Sequence, residues 1–91
     1  GIVIISCTLD KETKEILGGP EILTRGFIYV KEGDEIMDEL QILARDVILA
    51  CLSSKRNDWA TIKNTVRSKM SDYLHQKIKR APMILPIIME V

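Results

Sequence analysis

Apolar and polar positions divide the chain into five blocks. Residues 2–9, Ile-Val-Ile-Ile-Ser-Cys-Thr-Leu, are apolar and β-branched and too short for a typical helix, so they predict a strand. Residues 10–14 form a polar turn, and Glu15-Ile16-Leu17 begins a returning strand, which together predict a hairpin. Gly18-Gly19-Pro20 cannot continue a regular ladder and predicts a bulge or a wide loop. The strand is expected to resume at Gly26-Phe27-Ile28-Tyr29-Val30.

Lys31-Glu32-Gly33 reads as a break, and Asp34 as the N-cap of a helix running to about Leu52. At 100° per residue, Ile36, Leu40, Leu43, Ala44, Val47 and Cys51 share one face of it. Ile42 and Leu49 fall on the opposite side, one heptad apart. Residues 53–57 are a polar connector. Asn57 or Asp58 caps a second helix, which ends near Lys79 before Pro82. Its apolar stripe is Trp59, Ile62, Val66, Met70, Tyr73 and Leu74. Residues 83–91 are again apolar, and Pro86 among them lacks an N–H, which assigns this strand to a sheet edge or a bulge.

The order is therefore β-β-α-α-β. The economical architecture is α/β in the α+β sense: a small three-stranded sheet with both helices packed on one face. Ninety-one residues make a single domain, 1–91, with no repeat, linker or low-complexity stretch. Opening on Gly1 rather than Met, the chain reads as a piece of a longer protein.

Composition changes this picture in three places. Hydrophobic residues make up 46% and charged residues 29%, which excludes a disordered chain. No apolar run is long enough for a membrane helix, and no basic, apolar leader opens the chain. Cys7 and Cys51 lie inside apolar segments with no Cys-x-x-Cys spacing, so they read as core residues of a cytoplasmic protein. The net charge is zero but unevenly spread: residues 1–53 carry −5 and residues 54–82 carry +6.

Catalytic chemistry is not legible. His75 is the only histidine, and no His/Cys/Asp/Glu cluster has zinc-site spacing. Gly18-Gly19-Pro20 is followed by no Gly-Lys-Ser/Thr, so it is not a phosphate loop. The acidic group Asp34, Glu35, Asp38 and Glu39 suits the positive end of a helix. No catalytic residue, metal ligand or cofactor site is assigned to these 91 residues.

Two binding surfaces are. Both terminal strands are apolar on both faces, and two helices cover only one side of a three-stranded sheet. The other side would be an open apolar surface, which small soluble domains rarely keep without a partner. The candidate protein interface is Val3, Ile5, Ile84, Ile87 and Ile88, together with the Ile42/Leu49 spot on the first helix. The alternative is RNA contact through Arg25 and the basic second half of the chain: Lys55, Arg56, Lys63, Arg67, Lys69, Lys77, Lys79 and Arg80. Against it stand the scarcity of aromatics for base stacking and the absence of a Gly-x-x-Gly clamp.

Two stretches carry a family resemblance. Gly19-Pro20-Glu21-Ile22-Leu23-Thr24-Arg25-Gly26-Phe27 resembles the GP-x-I-x-S/T-R-G-F segment of ribonuclease J. Lys79-Arg80-Ala81-Pro82-Met83-Ile84-Leu85-Pro86-Ile87-Ile88-Met89-Glu90-Val91 is similar to the family's R-x-P-M-I-x-P-x-I-x-E-V tail, and Asp58-Trp59 opens the second helix as the family's tryptophan does. The resemblance covers the whole chain and implies the C-terminal domain of such an enzyme. It further implies a parent of the metallo-β-lactamase fold with a β-CASP domain, a two-metal zinc hydrolase acting as a 5′–3′ exonuclease and endonuclease in RNA processing and degradation. The parent's His-x-His-x-Asp-His ligands have no counterpart here. What remains for this domain is oligomerisation or docking onto the catalytic body, with RNA reached through the parent. The motif also places Arg25 on a constrained loop, where its guanidinium would hold a carboxylate of this domain or a partner, or an RNA phosphate.

Overall fold

In the computed structural model, which describes residues 1–26 and 30–91, the apolar strand β1 (Ile2–Leu9) is the centre of a three-stranded sheet. β2 (Ile16–Arg25) pairs with it antiparallel and β3 (Met83–Glu90) pairs with it parallel, in the order β2-β1-β3. A parallel return needs a long crossover. Here it is supplied by α1 (Val30–Leu52) and α2 (Trp59–Ile78), so the element order is β-β-α-α-β as expected. α1 packs against β2 and α2 against β3, with the two helices in contact above β1.

Side-chain alternation decides where the core lies. In β1, Val3, Ile5, Cys7 and Leu9 are buried, while Ile2, Ile4, Ser6 and Thr8 are half-exposed. The buried set meets Ile36, Leu40, Ala44, Ile48 and Cys51 of α1 and Ile62, Val66, Met70 and Leu74 of α2. Ile84 and Ile88 complete it from β3. This corrects part of the interface expected from sequence: Val3, Ile5, Ile84 and Ile88 belong to the helix-covered core. β1 is apolar on both faces, so its buried parity cannot be read from hydropathy alone. Cys7 and Cys51 are free thiols buried in this core, and burial pushes the Cys7 thiol up against a smaller opposing pull from Arg45.

The hairpin turn is held by Asp10. Its Oδ1 accepts from the backbone N–H groups of Glu12 and Thr13 at 2.8 and 3.0 Å. The hydrogen bond from the Thr13 backbone, then that from Glu12, draws the Asp10 carboxyl below its usual range. The bulge expected at Gly18-Gly19-Pro20 is present inside one continuous strand. Ser6 pairs with Glu21 and Thr8 with Gly18, so Cys7 alone faces both Gly19 and Pro20. Gly19 has φ +80°, and the Gly19–Pro20 bond is cis. Gln41 of α1 fixes the bulge by donating through Nε2 to the Pro20 carbonyl at 3.0 Å.

Two boundaries differ from expectation. β2 resumes at once after the bulge and ends at Arg25, while the resumption expected over 26–30 falls largely on residues 27–29, outside the described residues. α1 already runs from Val30, so Gly33 is not a break and Asp34 is a helical residue rather than a cap. One glycine costs a helix about 1 kcal/mol, which the packing of a 23-residue amphipathic element outweighs.

α2 begins at its expected cap. Asp58 Oδ2 accepts from the Thr61 N–H at 3.1 Å and Oδ1 from the Thr61 hydroxyl at 2.8 Å. These bonds, the hydroxyl's first, hold the Asp58 carboxyl below its usual range. The helix ends on Lys79 in the left-handed conformation, φ 57° and ψ 36°, with its N–H donated to the His75 carbonyl at 3.0 Å. A side chain is disfavoured there. Lys79→Gly is expected to raise stability by about 0.5–1 kcal/mol, visible as an upward shift of the calorimetric melting temperature; no rise would mean the cap is unstrained.

Candidate protein interface

The strand registers assign the residues of the uncovered sheet face row by row. Arg25, Ile2 and Met83 lie side by side in the first row, and Leu23, Ile4 and Leu85 in the second. Glu21, Ser6 and Ile87 make the third row, and Gly18, Thr8 and Met89 the fourth. Leu23, Met83, Leu85, Ile87 and Met89 are each 38–59% exposed. Seven large apolar side chains thus form one surface across all three strands. The two charges on it, Arg25 and Glu21, both stand on β2. A shallow notch of about 180 Å³ opens where β2 bulges, between Ser6, Thr8, Glu21 and Met89.

The free edge of β3 lacks one hydrogen-bond donor. Met83 donates its N–H to the Gly1 carbonyl and Val91 to that of Leu9, so odd-numbered N–H groups of β3 turn toward β1. Pro86, at an even position, therefore faces the outer edge, where it offers no donor. Its expected place at a sheet edge is the observed one.

Of the sequence-derived interface residues, Ile87 lies on this open face. Ile42 and Leu49 lie on the outward side of α1, 61% and 42% exposed, remote from the sheet. The structure therefore separates the expected interface into two surfaces and a core. Ile2, Ile4, Leu23, Met83, Leu85 and Met89 were not singled out from sequence. The signal that identifies them is strand register, which depends on the bulge and on the parallel pairing of β3.

The basic residues do not converge. Lys55 and Arg56 are in the connector and Lys79 and Arg80 follow α2, all exposed. On α2, Lys63 and Arg67 flank one side of the buried stripe and Lys69 the other. Arg67 Nη1 donates to Asn64 Oδ1 at 2.7 Å, and Lys77 approaches Glu39 of α1 at 3.9 Å. Arg25 is the last residue of β2 rather than a loop residue, and its Nη1 donates to the Thr24 carbonyl at 2.9 Å.

Trp59 departs from its expected burial. It is 43% exposed, and the buried stripe of α2 begins at Ile62. Its Nε1 donates to Glu90 Oε2 at 3.1 Å, and Lys14 reaches the same oxygen at 3.5 Å. The Lys63 ammonium stands 5.8 Å from the ring centroid. This cluster ties the last residue of β3 to α2 and to the hairpin turn.

Among the described residues, no group of three or more His, Cys, Asp or Glu is arranged to hold a metal ion, and no helix is long and apolar enough to cross a membrane. His75 is exposed on α2, without a second histidine in the chain.

From end to end, residues 1–91 match the model of the ribonuclease J C-terminal domain. The chain belongs to that family. It is 42% identical over 91 residues to ribonuclease J2 of Bacillus subtilis (strain 168) and 41% identical to ribonuclease J 2 of Staphylococcus aureus (strain NCTC 8325 / PS 47). Each comparison covers 100% of this chain and 16% of the relative's length. In this ribonuclease J C-terminal domain the motif at 19–26 builds the bulge and the β2 side of the open face. The tail motif builds β3, whose odd positions supply the opposite side of that face and whose Glu90 anchors Trp59.

Proposed function

We propose that this is a non-catalytic assembly domain of a ribonuclease J. Its open sheet face joins it to protein, in the first instance to a second copy of itself, and thereby supports RNA processing and decay by a larger metal-dependent hydrolase. Chemistry, metal ions and RNA substrate belong in this reading to the catalytic body outside these residues. The carrying observation is the apolar face itself. β1 is apolar on both sides and pairs in parallel with β3, a pattern that proteins normally cover on both faces. Rows of Ile, Leu and Met across three strands exceed the scattered apolar residues of an ordinary surface.

The test is the mass of the domain in solution by light scattering, over a range of concentrations. The expected result is a concentration-dependent dimer. Leu85→Asp, in the second row of the face, is expected to leave the circular dichroism spectrum unchanged and yield a monomer. A monomeric unaltered domain at every concentration overturns self-association and moves the face to the catalytic body. A second reading, RNA contact, draws on half-exposed Trp59 beside Lys63. Salt-dependent binding of single-stranded RNA that is lost in Trp59→Ala would favour it over assembly.

A further inference from the structure

We infer that the open faces of two copies pair in one register, with Arg25 of each copy opposite Glu21 of the other and the row of Leu23, Ile4 and Leu85 on the two-fold axis. This rests on the assembly reading above and specifies it. Arg25 and Glu21 are exposed, on the same side of β2, and neither makes an ion pair with another described residue. Four residues apart on an extended strand they are about 13 Å apart, too far to meet within one chain. Leu23 lies midway between them.

Aligned face-to-face packing of two identical sheets allows two kinds of two-fold axis. With the axis along the strands, β2 lies over the partner's β3. Arg25 then meets Met83 and Glu21 meets Ile87, so two charges are desolvated against apolar side chains, which is costly. With the axis across the strands, β2 lies over β2 in the reverse direction. Centred on the second row, that arrangement sets Arg25 against Glu21 twice, Met83 against Ile87 twice, and Leu23, Ile4 and Leu85 each against itself. Every charge gains an opposite charge, and in the three facing rows only Ile2, set against Ser6, lacks an apolar counterpart. The face is self-complementary in this register, which is what makes a second copy the fitting occupant. Three strands of eight-residue length span roughly 14 by 27 Å, about 380 Å² per copy, below the area of a standard specific interface, so the association is weak, reversible and sensitive to two ion pairs.

The test exchanges the charges, with association read by sedimentation equilibrium and folding by circular dichroism. R25E sets two carboxylates together in each half of the dimer, and E21R sets two cations together. Each variant alone is expected to associate about tenfold more weakly or worse. Mixed in equal amounts, the two restore opposite charges at both contacts and are expected to form a heterodimer about as tight as the unaltered pair. The double variant R25E/E21R is likewise expected to recover self-association. If the unaltered domain dimerises and Leu85→Asp abolishes this while the charge variants and their mixture behave alike, the register is wrong and the assembly reading stands. If the unaltered domain stays monomeric, the register and self-association both fall.

Discussion

Ile5→Ala is expected to lower the melting temperature by on the order of 10–30 °C, whereas Ile87→Ala on the same sheet is expected to shift it only slightly. The two isoleucines differ in the face they occupy. Ile5 is 2% exposed, pairs with Ile22 and Pro86, and lies in the core beneath α1 and α2. Truncating it removes transfer free energy and leaves a void between two helices that relax only in part, about 2–5 kcal/mol. A chain of this size holds only about 0.05–0.15 kcal/mol of stability per residue, so that loss approaches the point of unfolding. Ile87 is 46% exposed beside Ser6, and its truncation costs the isolated fold little. Its effect is expected in the dimer instead, since it faces the partner's Met83 in the proposed register. Thermal melts at low protein concentration and light scattering at high concentration separate the two effects. Equal melting shifts would mean that the core and the open face have been assigned to the wrong sides.

That contrast marks where the sequence was readable and where it was not. Periodicity located β1, both helices and the edge strand, because each depends on residues near in the chain. Gly18-Gly19-Pro20 announced the bulge and Pro86 the edge through backbone chemistry that no packing can override. The parity of β1 was hidden because Val3 and Ile5 are no more apolar than Ile2 and Ile4. Hence Val3, Ile5, Ile84 and Ile88 were assigned to the interface alongside Ile87, although they point into the core. The bond from Trp59 to Glu90 joins positions 31 apart and follows from the parallel return of β3, which no local pattern specifies. Gly33 misled in the opposite direction: a residue that breaks helices on average sits within one whose buried stripe holds it.

Gly19→Ala is expected to cost about 3 kcal/mol, while Gly26→Ala costs about 1 kcal/mol and Gly18→Ala close to nothing. The three glycines separate two sources of strain. A methyl group on Gly18 meets only the Thr8 side chain at 4.0 Å, an ordinary contact. Gly26 has φ +78° with open space around it, so alanine there meets the backbone penalty alone. Gly19 has φ +80° and adds a collision: its Cβ would stand 2.6 Å from the Ser6 carbonyl oxygen and 3.1 Å from the Glu21 nitrogen. Both are backbone atoms of the paired strands, which cannot rotate aside as a side chain would. Relief requires β2 to move away from β1 at the bulge, where Gln41 holds the Pro20 carbonyl. Because the bulge sets the register of everything that follows it, such a shift also displaces Glu21, Leu23 and Arg25 on the open face. Gly19→Ala should therefore weaken self-association under conditions where the chain is still folded, and Gly18→Ala should not. Urea denaturation midpoints ordered Gly18 above Gly26 above Gly19, with similar slopes, are the expected result; a Gly19 variant as stable as the Gly18 one would mean that the bulge is soft and does not fix the face.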